Sequence, residues 1–338
     1  MRLILPQLDL LNPRVAVAFL SCALALAFSV ACGSSDQTPI VFTSDRDGDL
    51  EIYSVDLETK TETNLTDSPR GESSPLISPD GKLIAFQSAL GDSVAIEIMD
   101  ITGTSRSSMT PGTGRYGSHR WSPESDRIAY IQEGTEGPVP YVANADATGR
   151  LLLASVPGDE IGGWSPDGES VVFAVRSGDA QGIYIRNPTG VNEFKVTDTP
   201  DYQPVWSPDS DMIAFISTRD GNPEIYVMNA DGSKEGRLTE TGAAEYHLSW
   251  SPNGKQLLFV SERDGNPEIY TTSLDGLDQE RLTRNTTRDD QPVWSPGGDK
   301  IAFVSYLDGD AEIFVMDDDG GHQDRLTNND AEDTSPSW

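Results

Sequence analysis

All six tryptophans of the chain fall in one frame: Trp121, Trp164, Trp206, Trp250, Trp294 and Trp338, at spacings of 43, 42, 44, 44 and 44. A further step of 44 back from Trp121 lands on Ile77, in PLISPDGK, where Ile stands in place of Trp. A fixed period of this size marks a chain built from one repeated supersecondary unit. The fold must therefore accommodate seven near-copies of one segment.

Each segment reads as four short strands. The first ends at the Trp, as in YQPVW. SPDG or a variant then turns the chain, with Pro presetting φ and Asp-Gly or Asn-Gly permitting the bend. An alternating apolar stretch follows (MIAFIS, KIAFVS), then a second turn, TRDGNP, and a strand EIYVM. A last Asp-Gly turn (NADGS) leads to a short strand ending in RLT. Four hairpin-linked strands at a period of 40–45 residues are the signature of a β-propeller blade. The 31 Gly and 22 Pro fit so turn-rich a chain.

The first unit, from Pro39, lacks a Trp strand, and DTSPSW at 333–338 is a Trp strand with no unit after it. The two fragments complement each other. The expectation is an all-β, seven-bladed propeller of four-stranded blades over residues 39–338, closed by strands shared from both termini. A six-bladed ring with one stray unit is the alternative.

Residues 1–32 differ in kind. Arg2 and Arg14 precede an apolar run, Val15–Ala31, that closes on SVAC at Cys32. This is a secretory signal pattern. AFSVACGSSDQT resembles a bacterial lipoprotein lipobox, which implies lipidation at Cys32 and a tether over 33–38. An uncleaved anchor helix and ordinary cleavage near Ala31 are the other readings. All three export the rest of the chain, and the lipobox implies attachment to a membrane, at the outer membrane and periplasm or the cell surface. The formal net charge of −31 argues against nucleic acid, whose phosphates require Lys and Arg.

The Trp-Ser-Pro-Asp-Gly phrase, the RDGNPEIYVM hairpin and the RLT ending together resemble the TolB-like repeats of bacterial periplasmic propellers. The resemblance covers nearly all of residues 39–338. It implies the propeller fold and a protein or peptide partner in the envelope, docked on the face shared by the loops and the channel. Fold alone does not carry function.

Several residues are candidates for that face. Five positions before each Trp slot stand Glu72, Tyr116, Asp159, Asp201, Glu245, Asp289 and Asp333, six of them acidic. They read either as a negative funnel around the channel mouth or as structural carboxylates serving backbone N–H groups or a neighbouring blade's Arg. His119, Gln203, His247 and Gln291 are placed along the channel by their position on the inner strands. Some propeller lyases of the oligogalacturonate lyase family hold a metal with His and Gln there, but two His make a thin metal set.

Asp45, Asp47, Asp49 and Glu51 crowd the first hairpin and offer a weak Ca²⁺ candidate, without the distal bidentate Glu of a full calcium loop. No other cofactor is expected. Arg46, Arg219 and Arg263 are expected to pair with the strand-start acids Glu51, Glu224 and Glu268. No nucleophile elbow is present. The leading expectation is a non-enzymatic, membrane-tethered binding module. A carbohydrate-active lyase or hydrolase working in the channel, and a purely structural envelope protein, are the alternatives.

Overall fold

The structure, a computed structural model, describes residues 38–154 and 156–338. The signal segment, Cys32 and the tether as far as residue 37 lie outside the described residues. Those described form strands and turns only, arranged as seven four-stranded antiparallel sheets. The seven-bladed ring is thus present as expected.

The fifth blade shows the common plan: Tyr202–Trp206, Met212–Ser217, Glu224–Asn229 and Gly236–Arg237, hydrogen-bonded in that order. In the first blade the inner strand is Asp333–Ser337, paired antiparallel to Ile40–Ser44 with Ser337 opposite Val41 and Asp333 opposite Ser44. The ring is therefore closed by hydrogen bonds between strands from the two ends of the chain.

The core is a series of layers between blades. Ala214, Ile216 and Ile225 of the fifth blade pack on Leu248, Trp250, Phe259 and Tyr270 of the sixth. Ile40, Phe42 and Val55 pack on Ala302, Val304 and Ile313 in the same way, which seals the seventh blade to the first. The second strand of each blade is apolar on both faces because each face meets a neighbouring blade. Each fully buried Ile, Val or Phe contributes about 1.5–3 kcal/mol.

Three of the repeated Trp stitch adjacent blades together. The indole Nε1–H of Trp250 donates to the Val205 carbonyl at 3.1 Å, that of Trp164 to Arg120 at 3.2 Å, and that of Trp121 to Leu76 at 3.0 Å.

Every inner strand carries a β-bulge, where the ladder skips a residue. In six blades the residue three before the Trp slot is left-handed: Ser74, Ser118, Gln203, His247, Gln291 and Ser335, with φ between 43° and 56°. Such a conformation costs a non-glycine residue about 1–2 kcal/mol. Its recurrence marks a built feature. The freed amides bond across blades. His247 N donates to Gln203 Oε1 at 3.0 Å, Ser335 N to Gln291 Oε1 at 2.6 Å, and Ile161 N to Ser118 Oγ at 2.8 Å. A polar belt thus runs around the channel, and the two Gln of the inner strands are its links.

Candidate functional site

The RDGNPEIY phrase is a local lock. In the fifth blade Ser217 Oγ accepts Arg219 Nε at 2.8 Å, which fixes the guanidinium 4.7 Å above the Tyr226 ring. The Tyr226 hydroxyl donates to Asp220, and Asn222 Nδ2 donates to Glu224 Oε1 at 2.8 Å. The first and sixth blades repeat the arrangement with Arg46 over Tyr53 and Arg263 over Tyr270.

The ion pairs differ from the expected ones. Arg46 pairs with Asp333 at 2.8 Å, Arg219 with Asp201 at 2.8 Å and Arg263 with Glu245 at 3.2 Å. The strand-start acids Glu224 and Glu268 are taken instead by Arg237 and Arg281 of the RLT phrase, at 3.0 and 2.7 Å. The Ser two residues before the RDG Arg swings it toward its own inner strand and away from the strand-start Glu.

This corrects the reading of the acidic rim as a docking surface. Glu72, Asp201, Glu245, Asp289 and Asp333 are fully buried. They are held by their own blade's Arg, not a neighbour's, or by hydroxyls and amides: Glu72 by Arg106 at 2.6 Å, Asp289 by Asn285 at 2.6 Å. Tyr116, in the same slot, is buried edge-on against Tyr130. Asp159 alone of the seven is exposed, and its carboxylate accepts the Arg176 amide at 2.6 Å.

Three buried rim acids sit beside the strand-start acid of the preceding blade, Glu72 by Glu51, Glu245 by Glu224 and Asp289 by Glu268, so carboxylates meet in pairs at those junctions. At one junction Thr239 Oγ1 bridges Glu224 and Glu245, at 2.6 and 3.2 Å. Burial, reinforced by Glu224, pushes Glu245 up to about 7. Burial also works on Glu224, but bonds from Glu245, Thr239 and Asn222 outweigh it and hold Glu224 below its ordinary value. Burial lifts Glu51 to about 6 beside Glu72, and Asp289 to about 6 beside Glu268. The pairs are structural joints, and a side-chain hydrogen bond links the two carboxyls of Glu224 and Glu245.

The calcium candidate does not assemble. Asp45 accepts the Glu332 amide at 3.0 Å, Asp47 accepts the Tyr53 hydroxyl, and Glu51 accepts the Ser68 amide at 2.7 Å. With the carboxylates turned to these separate partners, they and Asp49 form no common cage. Among the described residues no group of three or more His, Cys, Asp or Glu is gathered for a metal.

The channel candidates separate as well. His119 is buried with Nε2 3.3 Å from the Ala85 carbonyl of the preceding blade, and burial pushes it down to about 4. It is a neutral packing residue and not an open lining. Its position two before the Trp, one off the bulge, sends it between blades. Gln203 and His247 do reach the channel. They share a cavity of about 120 Å³ with Arg120 and Glu160 among the inner strands of blades three to six. His247 Nδ1 lies 2.6 Å from Asp290 Oδ1, and Asp290 is also bound by Arg288 at 2.8 Å. Burial opposes the charge on Asp290, but His247 and Arg288 hold its carboxyl below its ordinary value. Gln291 serves the belt.

The sequence pattern as read above singles out none of Glu160, Asp290 and Arg120. A signal existed. In the repeat frame, Glu160 and Asp290 are the carboxylates four before a Trp, and Arg120 is the charged residue directly before one.

The loop face is asymmetric. In blades two and three the RDGN phrase is replaced, and the hairpin ladders run on to Leu90–Ser93 and Gly134–Gly137. In the fifth blade the ladder stops at Ser217–Glu224. A parallel bridge between Val94 and Arg115 ties the blade-two hairpin to the next blade. Leu90, at its tip, is 59% exposed. The fourth blade's variant loop is not extended in this way.

Comparison with known proteins places this geometry. An uncharacterized protein of Agrobacterium fabrum is 31% identical over 110 residues, covering 29% of this chain. The chain spans only 38% of that relative's length. TolB from Acinetobacter baumannii is 18% identical with a TM-score of 0.62, over 90% of this chain and 67% of that one. An oligogalacturonate lyase in complex with manganese is 17% identical with a TM-score of 0.69, over 83% of this chain and 86% of that one. At such identities the two structures attest the fold alone. The family model of the TolB beta propeller domain matches residues 90–249, 201–304 and 244–338. With the repeat, the seven closed blades and this match, the chain belongs to the TolB beta propeller family.

Proposed function

We propose that this propeller is a non-enzymatic binding module of the cell envelope, held to a membrane through a lipid on Cys32, which docks a protein or peptide on its loop face. The observation that carries the reading is the asymmetry of that face. Two adjacent blades raise extended hairpins with an exposed apolar tip, and the neighbouring blades open the channel cavity. A structural ring would gain nothing from departing from its own repeat there. Family membership and the exported N-terminal pattern support an envelope location.

The test is affinity capture from envelope extract with wild-type protein and a Leu90→Asp, Arg115→Glu variant. The partner is expected to be lost from the variant while its thermal melt is unchanged. Equal capture by both proteins would overturn the assignment of the face.

A second reading, a carbohydrate-active enzyme, is favoured by the His247–Asp290 pair in the channel and by the fold shared with an oligogalacturonate lyase. It requires release of unsaturated products from oligogalacturonate, with manganese supplied, that His247→Ala abolishes.

A further inference from the structure

The cavity among blades three to six is donor-rich in a chain of net charge −31. Arg120 lines it and makes one hydrogen bond, from NH1 to its neighbour His119's carbonyl at 2.9 Å. It forms no ion pair among the described residues. The other charges bonded into this part of the channel are already matched. Glu160 is held by Arg176 at 2.8 Å, and Asp290 by Arg288 and His247. Arg120 therefore lines the cavity with no carboxylate in hydrogen-bond contact, and Glu160, committed to Arg176, acts on it only through space.

The neighbouring side chains point the same way. Gln203 commits its oxygen to the His247 amide, which leaves its Nε2 donors without a protein acceptor among the described residues. His247 commits Nδ1 to Asp290, which fixes the ring, and in its imidazolium form it leaves Nε2–H to donate into the cavity, where the side chain is 37% exposed. Burial pulls the Arg120 guanidinium below its ordinary value, with Glu160 opposing. A guanidinium stays charged regardless, so an incoming anion would relieve the cost of enclosing it. The planar fork suits a carboxylate.

We propose that Arg120, Gln203 and His247 form a carboxylate-binding site in the channel, which receives an acidic side chain or the C-terminus of a docked peptide. The peptide as occupant rests on the docking reading above; the carboxylate site rests on the cavity itself. The raised hairpins of blades two and three stand on the loop face beside the blades that line this cavity, so a segment lying on that face can lower one carboxylate into it.

The experiment uses the full chain at about 150 mM salt, where long-range repulsion is screened. Binding of a labelled, C-terminally amidated Gly-Ser peptide carrying one Glu is compared with that of its Gln counterpart, with acetate as competitor. The Glu peptide is expected to bind more tightly and to be displaced by acetate. Arg120→Met is expected to weaken it by roughly 10–100-fold, the range for a hydrogen bond to a charged group. Arg120→Lys, which keeps the charge but not the fork, is expected to bind with an affinity between the two and verifies that the position tolerates change.

Equal binding of the Glu and Gln peptides, or an Arg120→Met variant with wild-type affinity, would overturn the site. A galacturonate dimer that binds where the Glu peptide does not would overturn the peptide as occupant. Loss of the peptide result alongside successful envelope capture would refute this site and leave the docking face standing.

Discussion

The Glu224–Glu245 joint between blades five and six makes a sharp demand on pH. Glu245 is fully buried and raised from 4.5 to about 7. An acid raised by folding holds its proton more tightly in the folded state. Its contribution is therefore fully present below the unfolded value near 4.5 and is lost as pH climbs to about 7. At about 1.36 kcal/mol per unit, the loss between pH 5 and pH 8 is at most about 3 kcal/mol. Glu224, held below 4.5, is ionised in both states over most of this range and returns only about 0.2 kcal/mol, which leaves about 2 kcal/mol.

Glu245→Gln copies the protonated form. Its oxygen keeps the bonds from Thr241, Ser261 and Arg263, and its NH₂ donates to Glu224. Guanidinium unfolding of both proteins at pH 5 and pH 8 should show near parity at the lower pH. At the higher pH the variant should be more stable by about 2 kcal/mol. A constant offset at both pH values, or an advantage that shrinks as pH rises, would refute the shared-proton account of the joint.

Two further perturbations probe the same architecture. Arg219→Met strands the buried carboxylate of Asp201 and should cost about 3 kcal/mol, whereas Lys60→Met at the exposed pair with Asp324 should cost below about 1 kcal/mol; chemical denaturation separates them. Gly276→Ala and Gly168→Ala share the left-handed cost of about 1–2 kcal/mol, but an added Cβ at Gly276 would lie 2.4 Å from the Leu238 carbonyl while Gly168 faces open space. The first should lower the melting temperature markedly more.

The blades were legible because their signals are local. Asp-Gly turns, the alternation of MIAFIS and the Trp frame each act within a few residues, and their sum leaves the ring as the consistent arrangement. Ring closure was legible too, since Ile40–Ser44 lacked an inner strand and Asp333–Ser337 lacked a blade. The rim was misread because burial depends on three elements at once. Asp201 looks like a surface acid until Arg219 is drawn over it by Ser217. Channel residues depend on the bulge, which a period of two conceals. One residue separates His119, packed between blades, from the slot of His247, which faces the cavity. The extended hairpins lay under the degenerate loops, but only ladder pairing tells Leu90–Ser93 from the unextended loop of blade four.

Closure of the ring also fixes an order of events during folding. Val41 and its partner Ser337 lie 296 positions apart, a separation that slows pairing. Until residues 333–337 arrive, Ile40–Ser44, every residue of which ends up buried, is an open sheet edge able to pair with another molecule. As the chain is made from its N-terminus, the blade begun first is the blade completed last.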